Sequence, residues 1–260
     1  MALNQKPELK KKLKISWPKP KDKIVAVWKP VGQTPLQTIN CLRKLKPEYA
    51  DLKIGYAGRL DPLAEGVLLL MIGETNKNRF HYLSLDKEYE AEVLFGISTD
   101  SHDILGLIEN FSIVNLDKQV LALSLSSLVG KFNQSYPLFS SPIIAGRQKF
   151  SKEVEIYRLD LIDDYLISNQ QLLVNIENSI NQVKGNFRQT EIIDCWRQHL
   201  LLQEKGLTYR VVKIKIKCSS GVYIRLLAHK WGLKVGSGAC LFNLKRLKVG
   251  QFGRKVCFKY

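Results

Sequence analysis

Gly58-Arg59-Leu60-Asp61-Pro62-Leu63-Ala64-Glu65-Gly66-Val67-Leu68-Leu69-Leu70 is the stretch on which the reading of this chain turns. From Val67 an unbroken apolar run continues to Ile72 and stops at Gly73, the pattern of a strand buried on both faces. The residues before it form a turn. Asp61 before Pro62 has the form of a helix N-cap followed by proline at the first helical position, and Gly66 limits such a helix to about one turn. Local grammar by itself favours a capping role for Asp61. The alternative is a carboxylate presented beside a buried sheet for chemistry.

Outward from this stretch, Ile24 to Trp28 reads as a second buried strand, ended by Lys29-Pro30-Val31-Gly32. Pro35 to Lys46 suits a helix closed by Pro47, and Lys87 to Phe95 alternates as a half-buried strand. Asp117 to Val129 reads as a helix with Leu121, Leu125 and Leu128 inward. Further on, Val212, Ile214, Ile216 and Cys218 share one strand face while Lys213, Lys215 and Lys217 share the other. That lysine row is either a solvated surface or a short phosphate track. Ser219-Ser220-Gly221 punctuates the chain, Val222 to Trp231 reads as a helix, and Phe242 to Val249 as a closing strand. Ser151 to Gly206 mixes the two periodicities and gives no assignment. Strands and helices intermix without a βαβ repeat or any internal repeat. The expected fold is therefore α+β, a mixed and mainly antiparallel central sheet flanked by helices.

Forty Lys and Arg against twenty-four Asp and Glu leave a formal charge of +16 on 260 residues. Such an excess says nothing of fold but favours a polyanionic partner, nucleic acid or an acidic membrane surface. Eight of the lysines lie in residues 1 to 23 among Pro7, Pro18 and Pro20, which reads as a flexible basic arm ahead of a folded domain over residues 24 to 260. Five scattered cysteines form no C-x-x-C pair, and four dispersed histidines share no metal-ligand spacing. No metal site, membrane span or secretory signal is expected, and reduced thiols suit a cytoplasmic protein. Gly236-Ser237-Gly238 lacks the third glycine and the following acidic residue of a dinucleotide site.

The Gly58–Leu70 stretch resembles the sequence around the catalytic aspartate of pseudouridine synthases, whose TruB branch reads approximately G-x-L-D-P-x-A-x-G-V-L. Other segments follow in that family's order. Val27-Trp28-Lys29-Pro30-Val31-Gly32-Gln33-Thr34 is similar to the opening K-P-x-G-x-T turn, Gly73-Glu74-Thr75-Asn76-Lys77 to the G-E-x-T-K region, and Asp86-Lys87-Glu88-Tyr89 to the segment with the active-site tyrosine. Thr99-Asp100-Ser101-His102-Asp103-Ile104-Leu105-Gly106 matches T-D-x-x-D-x-x-G. Gly221-Val222-Tyr223-Ile224-Arg225 resembles G-x-Y-I-R, and Gly236 to Ala239 with Leu244-Lys245-Arg246-Leu247 the closing G-x-G-A…L-R-R-L. The likeness spans about Ile24 to Gln251, weakest from Ile143 to Gly206.

The resemblance implies a synthase fold with a catalytic cleft across the sheet and isomerisation of uridine to pseudouridine in tRNA, at position 55 of the TΨC loop, by a monomer. That reaction cuts the N1–C1′ bond, turns the base and rejoins it through C5, so no cofactor is implied. Asp61 is the implied carboxylate at the anomeric carbon, a role familiar from glycoside chemistry. Arg225 is the natural partner to hold it ionised. Independently, Arg225 falls in the first turn of its expected helix, where the macrodipole disfavours a cation unless an anion compensates. Tyr89 offers a ring for the extruded uracil and a phenol near C5. Lys29 is assigned a supporting place beside the site, and Leu244 an apolar wall. Tyr56, Arg59 and Tyr223 are further candidate RNA contacts. Extruding a base costs a few kcal/mol, which phosphate-gripping cations must offset; Lys213, Lys215, Lys217 and the arm are candidates.

Departures from the family pattern are equally specific. Its G-H-T-G reads Gly55-Tyr56-Ala57-Gly58 here, and its S-A-x-K reads Ser140-Ser141-Pro142-Ile143. With about a dozen residues after Arg246-Leu247, the family's usual C-terminal PUA domain is not expected in this chain. Two rivals stand. One is a ribosomal-RNA synthase, toward which Arg59 leans and from which Pro62, Ala64 and Val67 lean away. The other is a non-catalytic RNA-binding or RNA-folding protein on the same scaffold.

Overall fold

The computed structural model describes residues 23–112, 115–137, 139, 151–204 and 206–258. Most of the expected basic arm and the Ser140–Ile143 departure lie outside the described residues. Lys23, counted in that expected arm, instead opens the first strand opposite Ile72.

Strand β1 (Lys23–Lys29) leads through a turn into helix α1 (Pro35–Leu45). The helix starts where it does because Thr34 and Gln37 form a reciprocal capping box and Pro35 occupies the first turn. Its apolar residues Ile39 and Leu42 pack on Val27, Leu68, Leu70 and Ile72. β2 (Ile54–Ala57) and β3 (Glu65–Ile72) follow, and β3 is buried on both faces as its unbroken apolar run requires. The expected single helical turn after Asp61 is instead a β-turn, closed by Ala64 N–H donating to the Asp61 carbonyl at 3.0 Å.

The chain continues through α2 (Arg79–Ser84), β4 (Lys87–Phe95), β5 (Ile97–Thr99), β6 (Ile108–Phe111), α3 (Lys118–Ser126) and β7 (Gly130–Ser135). Asp117 caps α3 by accepting from Val120 N–H. After β8 (Ser151–Ser168) come α4 (Asn169–Asn181), α5 (Gln189–Leu201), β9 (Thr208–Cys218), α6 (Ile224–Lys234), β10 (Ala239–Val249) and β11 (Phe252–Gly253). The uninterpretable middle is thus a long strand and a helix pair. β8 escapes a period-two reading because an extra residue enters its ladder at Tyr157 and again at Ile162, and each shift reverses which residues face inward.

The main sheet runs β1-β3-β10-β4-β9-β8-β7, with β2 also on β3 and β11 on β10. Every neighbour pair is antiparallel except β3 and β10, which run parallel over Lys245↔Glu65 and Arg246↔Gly66. That short seam joins the two halves of the sheet. Gly66 permits it: its φ is +125°, and a Cβ there would collide with the Arg246 carbonyl. Helices α3 and α6 cover one face, tied by Trp231 Nε1 donating to Ser124 Oγ at 2.8 Å. Helices α4 and α5 cover the other through Ile176, Ile180 and Trp196. Among the described residues no helix is long and apolar enough to cross a membrane.

Candidate active site

A cavity of about 630 Å³ opens over the sheet on the α6 side. Its lining includes Arg59, Asp61, Tyr89, Tyr223, Arg225, Leu244 and Arg246, so six of the residues singled out by sequence meet there. Tyr89, Leu244 and Arg246 reach it because β4 and β10 pair with Arg246 opposite Tyr89 and Leu244 opposite Ala91, which puts these side chains on one sheet face.

Asp61 lies on the β-turn ahead of β3, its side chain about one-third exposed. Arg225, in the first turn of α6, is buried. Its Nε lies 3.6 Å from Asp61 Oδ2 and its Nη1 4.0 Å from Asp103 Oδ2. Nη1 also donates to the Ser101 carbonyl at 3.4 Å and Nη2 to the Phe139 carbonyl at 3.2 Å. Nε has no hydrogen-bond partner among the described residues. The two carboxylates supply the compensation that a cation at a helix N-terminus requires. Asp103 in turn accepts from Ser101 Oγ at 2.7 Å and Leu105 N–H at 3.0 Å. Burial pushes its carboxyl up to about 6, against the opposing pull of Arg225.

Tyr89 is buried at the cavity floor, and burial raises its phenol to about 12, with Arg246 beside it opposing the rise. At neutral pH it is a protonated ring with a donor to offer, not a resting phenolate. Arg246 is almost wholly buried. Its Nε donates to the Val67 carbonyl at 2.7 Å, Nη1 to Arg59 at 3.2 Å and Nη2 to Gly58 at 3.1 Å, so one guanidinium holds both ends of the Asp61 turn. Sequence reasoning quoted Arg246 and Asp103 within matched segments but gave neither a role. The available signal was a charged residue at an inward position of an otherwise apolar strand or turn.

Three expectations are corrected by placement. Lys29, expected in a supporting place beside the site and as a candidate RNA contact, is fully buried: it takes the supporting place and is not open to RNA from the surface. Its Nζ donates to the carbonyls of Pro30 at 2.9 Å, Gln33 at 2.7 Å and Pro62 at 3.4 Å, pinning the opening turn to the Asp61 turn. Burial lowers it to about 7, with Asp61 pulling the other way. Tyr56 packs on the α1 cluster with Leu70 opposite it, away from the cavity lining. Lys213, Lys215 and Lys217 lie on the sheet face opposite Tyr89, in register with Glu92, Glu90 and Glu88. Lys213 pairs with Glu90 at 3.0 Å, and Lys248 with Glu88 at 3.8 Å. Within the row Lys213 is paired, while Lys215 and Lys217 stand exposed on the face turned away from the cavity. No group of three or more His, Cys, Asp or Glu among the described residues is placed to hold a metal ion.

Comparison with known proteins bears on the family and the fold. Residues 43–164 match the family model for the N-terminal domain of TruB family pseudouridylate synthases. The chain is 31% identical over 240 residues to a tRNA pseudouridine synthase B of Chlamydia pneumoniae, covering 91% of this chain and 86% of that one. It is 31% identical over 236 residues to the tRNA pseudouridine synthase B of Protochlamydia amoebophila (strain UWE25), covering 90% and 76%. Among solved structures, a Cbf5-Nop10-Gar1 complex shares the fold with a TM-score of 0.58 at 18% identity, over 89% of this chain and 50% of that one. The buried sheet, the Asp61 turn and the sequence likeness thus converge: the chain belongs to the TruB family of pseudouridylate synthases.

Proposed function

We propose that this isomerase converts uridine to pseudouridine in tRNA, at position 55 of the TΨC loop, with Asp61 as its catalytic carboxylate. The observation that carries the reading is the Asp61 side chain at the cavity, 3.6 Å from a buried guanidinium whose Nε has no other acceptor among the described residues. A buried guanidinium at that distance can orient the carboxylate toward the cavity. A carboxylate facing C1′ stabilises or captures the positive character that develops as the N1–C1′ bond breaks. The freed uracil turns against Tyr89 and the Leu244 wall, C5 bonds to C1′, and the C5 proton leaves while N1 ends protonated. Tyr89, protonated at neutral pH, serves as the ring under the base. The +16 charge supplies the general attraction to RNA that makes extrusion affordable.

The test is to incubate the full chain with unmodified tRNA and with ribosomal RNA and to map pseudouridine at nucleotide resolution. Conversion confined to the TΨC loop is expected. Conversion at ribosomal sites alone would replace the substrate, and RNA binding without conversion would remove the activity.

A further inference from the structure

Helix α2 is fixed to the body of the protein at several points. Lys87 Nζ donates to the Leu83 carbonyl near its C-terminal end at 2.7 Å. The Asn76 amide, just before it, donates to the carbonyls of Met71 at 3.0 Å and Gly73 at 2.8 Å. Tyr82, Leu83 and Leu85 pack on the cluster of Val67, Leu69, Met71 and Val249. Against this anchoring, Phe80 stands out: the ring is 83% exposed, yet it lines the mouth of the Asp61 cavity with Leu83 and Ser84. Positions 80, 83 and 84 share one helical face, so α2 aims that face at the cavity. A single exposed phenylalanine is ordinary on a protein surface. One held rigidly at the entrance to a site, beside the exposed cations Arg59 and Lys152 in the same lining, has a use.

We propose that Phe80 is a stacking platform for the nucleobase adjoining the uridine that enters the cavity. The inference rests on the RNA-modifying reading of this cavity and adds to it a specific contact. Extruding one base unstacks its neighbours, and a flat apolar ring at the mouth replaces the lost stacking. The neighbouring cations hold the phosphates on either side of the stacked base. Stacking tolerates any base, because every base presents a π-face. Tyr56, the aromatic that takes the place of histidine in the family's motif, packs half-buried against the α1 cluster and does not line the cavity; Phe80 supplies an aromatic at the mouth itself.

The experiment uses the full chain and a TΨC stem-loop RNA. Phe80→Leu should raise Kd and KM by about 5- to 100-fold, the range that loss of one base–aromatic stack gives, while kcat stays near wild type. Its melting temperature should not move, because the ring is exposed. Phe80→Trp should restore affinity. Stem-loops with an abasic site on the 5′ or the 3′ side of the target complete a double-mutant cycle: on one of them Phe80→Leu should carry no further penalty. Wild-type Kd and KM in Phe80→Leu overturn the platform, as would be seen if a protein partner covers the ring. An equal penalty on intact and both abasic RNAs overturns it as well. Should the wild-type protein form no pseudouridine while Phe80→Leu still weakens RNA binding, the catalytic reading fails and the platform stands.

Discussion

The two faces of the central sheet at β4 use the same charged residue types to opposite ends. On the far face Glu88, Glu90 and Glu92 stand in register with Lys217, Lys215 and Lys213, and β10 adds Lys245 and Lys248. Charges there are partly solvated and paired across strands, so each contributes little and leaves little field. On the cavity face the two arginines nearest Asp61 and Tyr89, Arg225 and Arg246, are buried. Arg246 is satisfied by three carbonyls, and Arg225 faces two carboxylates while one of its donors has no hydrogen-bond partner among the described residues. Buried charge is expensive unless paired, which makes the second face the one where charge is arranged for a task. Abundance of lysine was the more visible signal in the sequence, and it points to the less consequential face.

The largest effect expected from the comparison is at Asp61. Asp61→Asn should lower turnover by about three orders of magnitude or more, some 4 kcal/mol in the barrier, with RNA Kd little changed. Pseudouridine formation near the wild-type rate in that variant would sink the catalytic assignment. Next is Arg246→Met, which keeps bulk but leaves the carbonyls of Gly58, Arg59 and Val67 without a donor. Loss of a buried charged donor from three acceptors should cost about 3–5 kcal/mol, read by denaturant unfolding, with turnover falling as the Asp61 turn loosens. Stability within error of wild type would show that the guanidinium does not hold the turn.

Asp103 sharpens the comparison through pH. Its folded carboxyl titrates near 6 instead of 3.8, so between these values the native state binds more protons than the unfolded one. Its contribution therefore falls as pH rises through that window, by about 3 kcal/mol in all. Unfolding free energies measured from pH 4 to 7 should show wild type losing stability relative to Asp103→Asn. Parallel curves would mean that Asp103 is not held in a desolvated place. The smallest effect is on the far face. Replacing Lys213, Lys215 and Lys217 together by Gln should change stability by no more than about 1 kcal/mol per pair broken and leave turnover intact. A flattened salt dependence of RNA binding in that variant would make the ladder a phosphate track after all.

Much of the fold was legible because it is local. The β3 run, the prolines at 35 and 47 that bound α1, the leucine spacing of α3 and the alternation of β4 and β9 each identify an element from a handful of neighbours in sequence. β8 was illegible because two bulges break its period, and α2 because six residues are too few for a helical pattern to declare itself. At the site, Asp61, Tyr89, Arg225 and Leu244 were found from the resemblance. Asp103 and Arg246 took on a meaning only when the turn and the seam could be seen around them.

The order of residues by itself determined the regular elements outside 151–206, the position of Asp61 ahead of β3 and the family, because these depend on short-range periodicity and on runs of identical residue types. Only the tertiary structure decided that Lys29 is interior, that the lysine row turns away from the cavity, and that Asp103 joins Asp61 in facing Arg225. The reason is that which face a side chain takes, and which distant group satisfies it, is set by strand pairing and by close approaches such as that at Gly66. Neither is written in any one segment.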